Sequence, residues 1–150
     1  MLVAVGRAGG GPEAALVDRY LKRLRPSPRL IEIADGTGSA PEIKRREATG
    51  LLAALPVRSF VVALDLAGAT PDTDGLVRHL AQWRDTGRAL AFLIGGAEGL
   101  DASVLARADA TLSLGRLTWP HMLVRVMLVE QLYRAQAIVA GHPYHRAGRP

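Results

Sequence analysis

Residues 89–99 read Ala89-Leu90-Ala91-Phe92-Leu93-Ile94-Gly95-Gly96-Ala97-Glu98-Gly99: six apolar residues in a row, stopped by a glycine-rich turn. A strand with one wet face alternates apolar and polar residues. A run with no polar member belongs to a strand covered on both faces, the usual state of strands in a parallel sheet. Residues 60–64, FVVAL, have the same character. Leu2–Val5 is a third run. Leu30–Ile33 is a fourth, interrupted by Glu32 as at a sheet edge, and residues 110–114, ATLSL, are a weaker fifth.

Helical patterns separate these runs. Residues 12–25 place Ala14, Leu16, Val17, Tyr20, Leu21 and Leu24 on one stripe. Residues 39–55 open with Ser39 and carry Glu42 three positions later, the pattern of a capping box. A helix over 74–84 follows the turn-rich GATPDTD, and a short one over 101–106 has Asp101 in the N-cap position. The longest, 120–140, has Pro120 near its start and Gly141 just past its end. Strands alternating with helices predict an α/β fold, a mainly parallel sheet with helices on both faces, in one domain spanning 1–150.

The last helix reads MLVRVMLVEQLYRAQAIVA from Met122 to Ala140, and its only formal charges are Arg125, Glu130 and Arg134. A helix apolar nearly all round is expected to be buried nearly all round. One face on its own sheet and the other on a second copy of the chain would achieve that, so a two-fold homodimer is expected. A central helix within a monomer is the alternative.

Composition excludes several classes. With 49% hydrophobic and 22% charged residues the chain is not disordered. No apolar run approaches the roughly 18 residues of a membrane span, and the first residues lack a signal peptide's basic leader, so no membrane partner and a cytoplasmic location are expected. There is no cysteine, which removes thiolate catalysis and Cys-based zinc sites. His142 and His145 have no clear third ligand, so no metal is expected. The net charge is +5, and all basic residues but Lys22 and Lys44 are Arg. Arg presents a rigid donor fork to phosphate and stacks on bases. A GC-rich genome would also produce that ratio, and the net charge permits nucleic-acid binding without requiring it.

Four motifs bear on chemistry. The run Gly6-Arg7-Ala8-Gly9-Gly10-Gly11 has the setting of a dinucleotide loop but fails its fingerprint, because Ala8 stands where the second glycine belongs; it reads as a flexible connection. Gly95-Gly96-Ala97-Glu98-Gly99 ends a buried strand, where ligands of open parallel sheets bind, and is either a close-approach surface or a tight turn. Leu114-Gly115-Arg116-Leu117-Thr118-Trp119-Pro120-His121 is an apolar, irregular loop. Its free backbone groups beside apolar walls suit an adenine ring, or it is a helix entry capped by Thr118 with Trp119 packed. His142-Pro143-Tyr144-His145-Arg146 could hold a base, move a proton and meet a phosphate, or be a solvated end. Asp65, at a strand end, is a site residue or a turn former. No serine sits in a GxSxG elbow.

In chain order, LVAVG (2–6), LIEI (30–33), ALDLAG (63–68), FLIGGAEGL (92–100), LSLGRLTWPHMLVRVMLVEQLYRA (112–135) and HPYHR (142–146) resemble the RlmH family over almost the whole chain. These are SPOUT-class enzymes that methylate N3 of a pseudouridine in bacterial 23S ribosomal RNA. The resemblance implies a SPOUT-type α/β fold with a trefoil knot near the C-terminus, a homodimer, S-adenosylmethionine as methyl donor, and 23S rRNA in the assembled ribosome as partner. It implies cofactor binding by Leu64, Gly95 and the loop Leu114, Gly115, Arg116, Leu117, Thr118 and Trp119. The base would meet an active-site tail over 141–150, with Tyr144, His145 and Arg146, beside Glu130 and Arg134. His145 is the first candidate for proton acceptor and Glu130 the second; Arg134 or Arg146 would meet phosphate or the developing oxyanion. Residues 147–150 extend past the family's usual ending. A non-catalytic ribosome- or RNA-binding module on the same fold is the competing reading.

Overall fold

The computed structural model describes residues 1–145. The elements alternate as β1 (Leu2–Val5), α1 (Pro12–Leu21), β2 (Leu30–Ile33), α2 (Ala40–Ala53), β3 (Ser59–Ala69), α3 (Thr73–Asp85), β4 (Ala89–Ile94), α4 (Ala102–Arg107), β5 (Ala110–Leu112) and α5 (His121–Val139). The five strands form one sheet in the order β2-β1-β4-β3-β5, every pairing parallel. The weakly apolar β2 lies at an edge, as Glu32 foretold.

Alternate strand residues feed two cores. Leu2, Ala4, Phe92 and Ile94 face α1, α3 and α5, where they meet Val17, Leu80, Leu128 and Leu132. Val3, Val5, Val61 and Leu93 face α2 and α4, where they meet Ala48, Leu51 and Val104. The unbroken apolar runs are therefore explained by burial on both faces; each such side chain contributes roughly 1.5–3 kcal/mol.

Local chemistry sets the boundaries. At Ser39 the amide (2.8 Å) and hydroxyl (2.6 Å) both donate to Glu42 Oε2, closing the start of α2. Asp72 and Asp101 cap α3 and α4 through the amides of Gly75 and Ser103. The helix expected over 12–25 stops at Leu21; residues 22–24 follow in turns, with the Leu24 amide still donating to the Tyr20 carbonyl at 3.1 Å, and Pro26 keeps Arg25 out of helical geometry. Strand β3 runs five residues past Leu64, with an irregularity before Ala69 pairs with Leu112. Gly68 permits this: a Cβ there would lie 2.7 Å from the Leu112 amide nitrogen. Strand β5 ends at Leu112 rather than 114, since Ser113 turns away and its hydroxyl donates to the Gly115 carbonyl at 2.8 Å.

Helix α5 is not buried nearly all round within one chain. Arg125, Leu128, Val129, Leu132, Ala135 and Ala137 are buried, while Leu123 and Val139 are exposed. It lies along the sheet against α1 and α3, and its outward face is left open. Among the described residues no helix is long and apolar enough to cross a membrane.

Candidate functional site

Strands β3, β4 and β5 end on one side of the sheet, and the segments leaving them enclose a cavity of about 290 Å³. Beyond β4 the chain doubles back, with the Gly99 amide donating to the Gly96 carbonyl at 3.1 Å. Beyond β5, residues 113–120 pass the ends of β3 and β4 to reach α5, whose first residue, His121, adjoins Gly6 at the end of β1. Of the residues expected to hold a cofactor, Leu64, Gly95, Leu114, Gly115, Thr118 and Trp119 line the cavity. Arg116 and Leu117 do not; they sit exposed on the outside of the same loop.

The glycines have separate jobs. Gly99 and Gly115 have φ of +77° and +114°, and a Cβ on either would meet no protein atom within 4 Å. They leave bare backbone beside the open space. A Cβ on Gly95 would instead lie 3.0 Å from the Gly99 carbonyl carbon and 3.1 Å from Leu100, so Gly95 lets the turn close on itself. Under the turn, Glu47 is 4% exposed and its carboxylate occupies the place of a Gly96 Cβ, while Oε1 accepts the Gly36 amide at 3.0 Å.

The lining is acidic. Asp65 and Glu98 border the cavity, and among the described residues no Lys or Arg does. Asp65 does not end a strand as expected: it lies within β3, where its side chain accepts the Ala67 amide at 2.9 Å. A cationic ligand is favoured here; a pyrophosphate is not.

A buried guanidinium fixes the start of α5. Arg125 is 1% exposed and donates to the Val5 carbonyl, to the Gly6 carbonyl at 2.6 Å and to Glu32 at 2.8 Å. Glu32 also accepts the Ala8 amide at 2.9 Å. Gly6 is buried at φ +92°, and a Cβ on it would lie 3.0 Å from His121 Nε2. Residues 6–8 are thus a docking point for α5, not the flexible connection that the failed fingerprint implied.

A second cluster lies along α5. Arg134 donates to Glu130 Oε1 through Nε at 3.1 Å and Nη2 at 2.6 Å. The Tyr144 hydroxyl donates to the same oxygen at 3.0 Å and lies 3.2 Å from the Tyr20 hydroxyl. His145 Nδ1 is 3.5 Å from Arg134 Nη1. The Glu130 hydrogen bonds raise the guanidinium of Arg134 above its ordinary value. Burial, then hydrogen bonding to Tyr20 and Glu130, pushes the Tyr144 phenol up. The structure therefore gathers Glu130, Arg134, Tyr144 and His145; Arg146 and the rest of the tail lie outside the described residues. None of the four lines the first cavity. Glu130 borders a neighbouring one of about 360 Å³, which shares the wall Leu112, Ser113, Leu114 and Gly115. Among the described residues no three His, Cys, Asp or Glu side chains converge on a metal position.

The family described as "Predicted SPOUT methyltransferase" matches residues 1–145. The chain belongs to this SPOUT methyltransferase family. It is similar to proteins named Ribosomal RNA large subunit methyltransferase H: 58% identical over 149 residues to that of Acidiphilium cryptum (99% of this chain, 94% of the relative). Identity is also 58% over 149 residues with that of Gluconacetobacter diazotrophicus (99% and 98%). With that of Rhodospirillum rubrum it is 51% over 149 residues (98% of each).

Methyltransferases of the SPOUT family generally use S-adenosylmethionine, a sulfonium cation with an adenine ring. The cavity of this SPOUT methyltransferase fits it: an apolar loop for the ring, bare glycine backbone for its polar edges, and carboxylates with no competing cation among the described residues for its charge. Sequence reasoning missed His121, Glu98 and Glu47. His121 stood inside the apolar loop and at the head of a buried helix, which was signal enough. Glu47 had none, because its partner Gly36 and its neighbour Gly96 come from distant segments.

Proposed function

We propose that this chain is an S-adenosylmethionine-dependent methyltransferase that modifies N3 of a pseudouridine in 23S ribosomal RNA, on the assembled ribosome, as a cytoplasmic homodimer. The observation that carries the reading is the acidic cavity lined by a glycine-rich turn and an apolar loop beyond β3, β4 and β5. Leu64, Gly95, Leu114, Gly115, Thr118 and Trp119 would hold the cofactor, which supplies an electrophilic methyl group when bound. Residues 113–120 crossing the strand ends are where the family's trefoil knot would lie. The open face of α5, with exposed Leu123, supports the homodimer. The tail over 141–150 belongs to the active site of one domain, 1–150.

The chain's own residues divide the remaining work. N3 of pseudouridine is an imide nitrogen and must lose its proton to become nucleophilic. Both oxygens of Glu130 are committed, Oε1 to Arg134 and Tyr144 and Oε2 to the Gln131 amide at 2.6 Å. Glu130 is therefore a positioning residue, and His145 takes the proton. Arg134, held by Glu130, faces the oxyanion that develops on the ring.

The test is incubation with ribosomes that lack the modification, followed by mass spectrometry of the 23S rRNA. A gain of one methyl group at a pseudouridine, dependent on S-adenosylmethionine, is expected. Ribosome binding with no methylation and no cofactor binding by calorimetry would leave the non-catalytic RNA-binding reading in its place.

A further inference from the structure

One segment carries the chain's entire net charge. Residues 19–29 hold Arg19, Lys22, Arg23, Arg25 and Arg29 and no acid, while the rest of the chain has as many acidic as basic residues. All five side chains are exposed. The segment runs from the last turn of α1 to the start of β2, and α5 holds it in place. The Arg25 amide donates to Gln136 Oε1 at 2.9 Å, and the Gln136 amide group returns a bond to the Arg25 carbonyl. The Ser27 hydroxyl donates to the Leu21 carbonyl at 2.8 Å.

Aromatic rings adjoin the cations. The Arg23 guanidinium lies 4.1 Å from the Tyr133 ring centre and donates to the Tyr133 hydroxyl at 2.8 Å. Tyr133 packs edge-on against Tyr144 at 4.7 Å, and Arg134 lies 5.2 Å from the Tyr144 ring. The Arg23 guanidinium also lies 5.3 Å from the Tyr144 ring centre, and Arg23 is exposed, so a flat, delocalised cation beside two aromatic rings is offered to a further planar group.

Lys22 is paired with Asp18 at 2.6 Å, which leaves Arg19 and Arg29 without that neutralisation. We propose that this face is the docking surface for ribosomal RNA, with phosphates on Arg19 and Arg29 and an unpaired base stacked on Arg23. The inference deepens the functional reading above and rests on it. An acidic protein or an anionic membrane would use the charge but gain nothing from the stacked guanidinium, whereas an unpaired base uses both. The face is also continuous with Tyr144, Arg134 and His145, the groups assigned to the target base.

The test compares two charge reversals of equal size on opposite faces of the sheet. The first is Arg19→Glu with Arg29→Glu; the second is Arg45→Glu with Arg46→Glu on α2. Labelled protein is titrated with purified ribosomes at several salt concentrations, and calorimetry with S-adenosylmethionine checks the fold. The first pair is expected to weaken ribosome binding roughly tenfold or more and to flatten the slope of log affinity against log salt by roughly 1 for each phosphate interaction removed; the second pair should do much less. Arg23→Lys keeps the charge and loses the flat surface, so it should weaken binding while leaving the salt slope unchanged. Equal losses from both pairs, or tighter binding to anionic phospholipid vesicles than to ribosomes, would overturn this docking surface and leave the methyltransferase reading standing. Wild-type protein that binds cofactor but no ribosome would overturn both.

Discussion

The two ends of α5 do opposite kinds of work. Its first turns serve a cavity formed by glycine turns, a loop and strand ends, with Arg125 clamping the helix to the carbonyls of Val5 and Gly6. Its later turns carry a surface made of long side chains, in which Glu130, Arg134, Tyr133 and the tail's Tyr144 hold one another. A main-chain site is damaged by atoms added to it and by loosening of the frame. A side-chain site is damaged by atoms removed, by salt and by pH. The same helix thus joins a rigid cavity to a surface of adjustable side chains.

The strongest way to break this contrast is at the frame. Arg125→Met removes the donors to two buried carbonyls and to Glu32. Breaking a buried ionic network from one side costs about 3–5 kcal/mol. Glu32 is partly exposed and can rehydrate, so the lower end of that range is expected in urea unfolding. A change below about 1 kcal/mol, the worth of one ordinary hydrogen bond, would mean that the start of α5 is held by packing alone.

That clamp also marks the limit of what the residues disclosed. The sheet was legible because burial on both faces leaves unbroken apolar runs, and β1, β2 and β4 begin and end where those runs do. The extension of β3 was not, because it depends on Gly68 meeting the backbone of Leu112, a contact with no local periodicity. The cavity was half legible. Glycines at a strand end point to a ligand, but only folding shows that Gly95 closes the turn while Gly99 and Gly115 face the opening. Arg125 looked like a lone charge on an apolar helix; its carbonyl partners lie some 120 residues earlier in the chain, and Glu32 lies 93 earlier. Arg116 and Leu117 were expected with their loop, and the structure places them on its exposed side.

A smaller effect sharpens the comparison at the cavity wall. Gly95→Val forces a branched side chain against Gly99 and Leu100, and overpacking of that kind costs roughly 1–3 kcal/mol. At about 1.4 kcal/mol per decade this is some five- to a hundredfold in S-adenosylmethionine affinity by calorimetry. Leu117→Ala changes as many side-chain heavy atoms, but on the outside of the loop. It should leave that affinity within about twofold, since Leu117 is 68% exposed. The reverse order of effects would place the ligand against side chains and not against the main chain.

The smallest effect probes the side-chain end through pH. Tyr144 donates its hydroxyl to Glu130 and faces Tyr20, Tyr133, Arg23 and Arg134. Burial, and then hydrogen bonding to Tyr20 and Glu130, raises its phenol above the ordinary 10.0. A raised value means that the folded chain keeps a proton which the unfolded chain releases near pH 10. The stabilisation is therefore complete below pH 10 and is lost as pH rises above it toward the folded value. Tyr144→Phe removes one hydrogen bond, about 1 kcal/mol at pH 7, and removes this alkaline slope as well. The stability curves of wild type and variant should run parallel through neutral pH and converge above pH 10. A difference that stays constant into the alkaline range would mean that the hydroxyl does not hold the tail to α5. Cofactor affinity should be unmoved in either case, because Tyr144 does not line the cavity.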